Sequence, residues 1–108
     1  MSKCKCACEA IVAMRELIDL SEHIGRLVVL TPTSDKQWQS DLAVFEANAK
    51  AAISHLKETA KACNVNFDSL IQKIEDAKND VRQRKVHHAK DKVSDVLSKF
   101  HSSICEGV

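Results

Sequence analysis

The chain has 108 residues, with 16 basic and 15 acidic side chains, and its net charge of +1 offers no overall field for nucleic acid or an anionic membrane. Two glycines, one proline, three phenylalanines, one tryptophan and no tyrosine leave too few turn formers and aromatics for a β-sandwich or barrel. The expected class is all-α, with residues 1–108 as a single helical domain that buries roughly 60–70% of its unfolded surface. No apolar run approaches the ~20 residues needed to cross a bilayer. No apolar stretch follows the N-terminal lysines either, so no secretory leader is expected.

Chemistry is hinted at first. Residues 1–6 are expected as a flexible segment, and Cys4, Cys6 and Cys8 form a Cys-x-Cys-x-Cys cluster flanked by Lys3 and Lys5. Thiolate is the metal-binding form of cysteine, and neighbouring ammonium groups favour it. Extended, the segment would project all three sulfurs to one side, which suits Cu(I) or Zn(II). Helical, it would put Cys4 and Cys8 on one face and turn Cys6 away. No second Cys-x-x-Cys pair completes a zinc pattern. The odd total of five cysteines fits a reducing compartment better than a closed disulfide framework, so the cytoplasm is the expected location.

A first helix is expected over residues 7–30. Ala7, Ala10, Ile11, Met14, Leu17, Ile18, Ser21, Ile24, Gly25 and Val28 make a broad inward stripe, widened by Leu20 and Leu27. Gly25 costs about 1 kcal/mol relative to alanine in a helix. In an antiparallel hairpin it would lie near Trp38 and make room for the indole. Thr31-Pro32-Thr33-Ser34 stops the helix, and Ser34 with Gln37 reads as a capping box opening the next.

The central helix is expected over 35–63. Trp38, Leu42, Phe45, Ala49, Ala52, Leu56, Thr59 and Cys63 recur at alternating spacings of four and three, the seam of a helix packed lengthwise on others. Thr59 is the polar exception, and Ala60 beside it is expected to take over the burial. Cys63-Asn64-Val65-Asn66 ends this helix, because asparagine tolerates left-handed backbone, and Asn66 caps the next.

A third helix is expected over 67–103. Phe67, Leu70, Ile71, Ile74, Ala77 and Val81 share a face; the stripe then fails over Arg82–Lys85 and resumes, rotated, at Val86, Ala89, Val93, Val96, Leu97, Phe100 and Ile104. No glycine or proline marks a break, so the favoured architecture is an antiparallel three-helix bundle with a long third helix. Its end would overhang the first loop, leaving Val93, Val96, Leu97, Phe100 and Ile104 to be covered by a second copy or another protein. The alternative is a four-helix up-down bundle with a turn near residues 82–88.

These architectures carry different chemistry. An antiparallel layout returns Cys63 to the start of the first helix, making Cys4, Cys6, Cys8 and Cys63 the candidate metal ligands. Only the four-helix alternative adds His101 and Cys105 to that pole. Arg82, Arg84, Lys85, Lys90 and Lys92 form a basic run that could follow a phosphate backbone. Interleaved carboxylates at Asp76, Asp80, Asp91 and Asp95, and the lack of an aromatic within the run, favour a solvated surface of ion pairs instead. No glycine-rich phosphate loop, serine elbow or His-Glu-x-x-His is present, so no enzymatic activity is expected. The leading expectation is a small assembly module acting through the C-terminal apolar stripe. A thiol-based binder of Cu(I) or Zn(II) is the alternative, and nucleic-acid binding ranks last.

Overall fold

The computed structural model describes residues 2–29 and 34–107, with side chains over 6–28 and 34–103. It holds four helices and, among the described residues, no strand: α1 (Ser2–Val29), α2 (Asp35–Cys63), α3 (Asp68–Arg82) and α4 (Val86–Gly107). α1 packs along α2 and α4, while α3 packs on α4 and α2, so each helix touches two neighbours around one core. The result is an elongated body of 50 × 19 × 19 Å.

α1 starts ahead of its expected position, at Ser2, because nothing in the cysteine segment breaks a helix. Its buried seam is Ala10, Ala13, Leu17, Leu20, Ile24 and Leu27, again at spacings of three and four. Ile11 and Ile18, expected inside, are exposed instead. The expected stop at Thr31–Thr33 lies outside the described residues. Gly25 does not have the role expected of it. A Cβ built there meets nothing within 4 Å, so the glycine makes no room for Trp38.

α2 begins as its cap dictates. Ser34 Oγ accepts a hydrogen bond from the Gln37 N–H at 3.2 Å, while the Gln37 side chain donates to Asp41 at 3.1 Å rather than back to the cap. Trp38, Phe45, Ala49, Ala52, Leu56 and Thr59 are buried along the expected seam, joined by Ile53. Thr59 is itself fully buried, and Ala60 does not replace it. Asn64 ends the helix with φ 55°, and Val65 N–H reaches back to the Ala60 carbonyl at 3.0 Å. That is a Schellman closure, which satisfies carbonyls the helix end would otherwise leave open. Asn66 Oδ1 then accepts from Asp68 N–H at 2.7 Å and opens α3.

The expected continuous helix over 67–103 is divided. α3 ends at Arg82, and Gln83–Lys85 turn the chain back into α4. Arg84 N–H bonds the Val81 carbonyl at 2.9 Å and Lys85 N–H the Asp80 carbonyl at 2.8 Å, a second Schellman closure. Its left-handed residue is Arg84, at φ 62°. A non-glycine residue there costs about 1–2 kcal/mol. Folding back buries Ala89, Val93, Val96 and Phe100, and each large apolar side chain gains about 1.5–3 kcal/mol on leaving water. Burial outweighs the strained residue.

Candidate functional site

The C-terminal stripe faces inward. Val93, Val96 and Phe100 are fully buried within the chain, and Leu97 is partly buried against the same core. The Phe100 ring meets Phe67 at 5.1 Å between centroids, tilted 55°. These residues are therefore core rather than an open partner surface, because the turn at Gln83–Lys85 returns them onto α1 and α3. Ile104 and Cys105 belong to α4, but their side chains lie outside the described residues.

Among the described residues, large apolar side chains remain in water at Val44 of α2, at Val65 just after it, and at three positions of α1. Ile11 is 69% exposed, Ile18 41% and Val12 39%. Ile11 and Ile18, seven residues apart, share one face, with Met14 and Arg15 between them. Beside that face runs an open groove of about 400 Å³ between α1 and α4. Met14, Ile18 and Leu97 supply its apolar wall, and His101 with Ser94, Ser98 and Ser102 supplies the polar one. The breadth of the α1 apolar stripe concealed this surface in the sequence. The cleaner 3.5-residue seam from Ala10 to Leu27 was the signal that could have separated the inner residues from the outer ones.

Much of the basic run is engaged within the chain. Arg82 grips the Glu46 carboxylate through Nε and Nη2, both at 3.0 Å. That hydrogen bond, countered by partial desolvation and aided by the guanidinium charge, holds the Glu46 carboxyl below its ordinary pKa. Arg84 donates to Asp35 at 2.7 Å and lies 5.0 Å over the Trp38 ring. Lys92 pairs with Asp80 across the α3–α4 turn. Farther along, Asp95 receives Lys73 and Lys99, and the hydrogen bond from Lys73 is the main cause of its lowered pKa. Lys85 and Lys90 are exposed. The pairs tie α2, α3 and α4 together rather than lining a groove.

At the opposite pole, Cys6 and Cys63 are joined, with their Cα atoms 4.8 Å apart. The helical start of α1 directs Cys6 to α2 and leaves Cys8 exposed as a free thiol. The Cys4 side chain lies outside the described residues. While joined, Cys6 and Cys63 present no thiolate to a metal. Among the described residues, no group of three or more His, Cys, Asp or Glu side chains converges as metal ligands would. Of the candidate ligands, Cys6 and Cys63 thus meet each other in a bridge, while Cys8 stands apart as a free thiol. No described helix is long and apolar enough to cross a membrane. His55 Nδ1 lies 3.0 Å from the Ala51 carbonyl and 3.7 Å from Glu16, and His23 stacks on Phe45 at 6.2 Å, so both serve helix packing.

Comparison with protein-family models, with curated proteins and with solved structures found no match to this chain.

Proposed function

We propose that the protein is a small non-enzymatic assembly module, a single four-helix up-and-down bundle that pairs with a second copy through the outer face of α1. The carrying observation is the exposure of Ile11 and Ile18 on one face of α1 beside the groove of Met14 and Leu97; the other exposed large apolar side chains, Val12, Val44 and Val65, lie on other faces or elements. An antiparallel mate centred near Met14 and Arg15 sets Ile11 against Ile18 of the other copy. The same register brings the two Arg15 close together at the two-fold axis, a like-charge contact that keeps the pairing weak. The polar wall of Ser94, Ser98 and Ser102 gives a helix little to clash with. A face of this size supports weak pairing.

Sedimentation at about 10–100 µM tests the reading, because pairing of this strength populates dimers in that range. Refolded in dilute solution, which favours the closed monomer over helix exchange, and then concentrated, the wild type should show dimer, and Ile11→Asp with Ile18→Asp should abolish it without changing the melting temperature appreciably. A wild type that stays monomeric across that range overturns it.

A second reading rests on the meeting of Cys6 and Cys63. Reduced, the same two sulfurs become a thiolate pair suited to one Cu(I) or Zn(II), while exposed Cys8, two residues on in the helix, faces away from them. Protein reduced and then mixed with either ion should retain it through gel filtration, and Cys63→Ser should not. Equal retention by both, or by neither, removes this reading.

A further inference from the structure

We infer that the protein also forms an exchanged dimer, in which α3 and α4 fuse into one helix and each α4 occupies the seat left by its counterpart in a second copy. The turn at Gln83–Lys85 carries this. It contains no glycine, proline or asparagine, and glutamine, arginine and lysine are all good helix formers. Yet Arg84 is held at φ 62°, where its Cβ crowds the following carbonyl. Continuing the helix through these residues removes the left-handed residue and restores the regular bonding ladder. The fused helix from Asp68 to Gly107 would be about 60 Å long.

The partner is dictated by what straightening exposes. Ala89, Val93, Val96 and Phe100 are fully buried in the closed chain and would enter water together. The seat that fits them is the one between α1 and α3, and a second copy offers the same seat. Every lost contact returns there: Phe100 on Phe67, Asp95 with Lys73, and Lys92 with Asp80. Closed monomer and exchanged dimer then differ mainly at the hinge and in concentration, the condition under which helices swap. Arg84 latches the hinge shut through Asp35 and Trp38, both on α2. This exchange does not depend on the α1 face.

The test refolds equal amounts of unlabelled and nitrogen-15-labelled protein together at high concentration, with free thiols capped. A carbodiimide then links Lys73 to Asp95. An exchanged dimer yields linked peptides that combine one isotope on α3 with the other on α4. Arg84→Ala removes the latch but keeps a helix former, and should lower the dimer dissociation constant about tenfold; Arg84→Gly accepts the left-handed turn and should raise it about tenfold. Ile11→Asp with Ile18→Asp should leave these mixed-isotope links in place, which separates exchange from pairing through α1. Monomer alone in both the wild type and Arg84→Ala, same-isotope links only, or Arg84→Ala and Arg84→Gly moving the dissociation constant the same way would overturn the inference.

Discussion

The hydroxyl of Thr59 on α2 lies 3.1 Å from the backbone carbonyl of Glu9 on α1 and 2.7 Å from the His55 carbonyl one turn back. It is the buried polar side chain of the described core, and its single proton is offered between two helices. Both carbonyls belong to helices and have ladder partners, so losing the hydroxyl strands neither of them completely. Thr59→Val keeps the volume and should cost about 0.5–1.5 kcal/mol, the net worth of one hydrogen bond. Urea unfolding of the two proteins measures it. A cost several times larger would mean that the hydroxyl holds the α1–α2 register.

The α2 seam was readable because its spacing is strict and its charges lie off the stripe. The Asn64–Asn66 turn was readable because asparagine tolerates φ 55° and its side chain replaces a missing hydrogen bond. The division of the third helix was not readable from turn chemistry. Arg84 is an ordinary helix residue, and it takes its left-handed backbone from burial of Val93, Val96 and Phe100 and from contacts to Asp35 and Trp38, residues far away in sequence. The one local trace was the failure of the apolar stripe over Arg82–Lys85. On α1, too many apolar residues pointed in too many directions for the pattern to separate Leu17 from Ile18. Thiol convergence was legible as a place but not as a bond, since an antiparallel hairpin fixes where Cys63 returns and says nothing of its oxidation.

Gly25 sits inside α1 with empty space where its Cβ would be. Filling that space with a methyl group removes backbone freedom from the unfolded chain without a clash. Gly25→Ala should therefore stabilise the protein by about 0.5–1 kcal/mol. Calorimetry would show the melting temperature rising. A fall would place an unseen neighbour against that side of the helix.

Acid should weaken the pairs that join the helices. The Glu46 and Asp95 carboxyls are held below their ordinary pKa values, by hydrogen bonds from Arg82 and Lys73 respectively. A carboxylate depressed in the folded state adds stability above its unfolded pKa and loses it as pH falls through the lower folded value. Stability should thus decline as pH drops below about 4, and the decline should shrink in high salt because these pairs are open to solvent. Glu46→Gln should flatten part of the pH dependence. Identical melting profiles for Glu46→Gln and the wild type from neutral pH to about pH 3 would show that the Arg82 bond contributes nothing to folding.

The Cys6–Cys63 bridge closes a loop across a sequence separation of 57 residues, from the start of α1 to the end of α2. Closing a loop of that size restricts the unfolded chain more than the folded one, where both ends already meet. Reduction, or Cys63→Ser, should cost about 2–4 kcal/mol. The check is unfolding with and without reductant, alongside the intact mass after capping free thiols. Unchanged stability in protein whose mass confirms the bridge would mean that α1 and α2 remain associated in the denatured state.

Phe100 is the most informative single position in the core. Its ring is fully buried, tilted against Phe67 at the entry to α3, and carried by α4, so it ties the last helix to the turn that precedes the third. Phe100→Ala removes that contact and leaves a cavity the rigid helices cannot close, at a cost of about 3–5 kcal/mol. Against a typical total of ~5–15 kcal/mol, such a loss approaches unfolding. Leu56→Ala, on α2 at another fully buried seam position, should cost about 2–5 kcal/mol by the same mechanism. If α4 instead stood away from the rest of the chain, Leu56→Ala would still destabilise and Phe100→Ala would not. The comparison of the two variants in a monomeric, dilute sample therefore decides whether α4 belongs to the core.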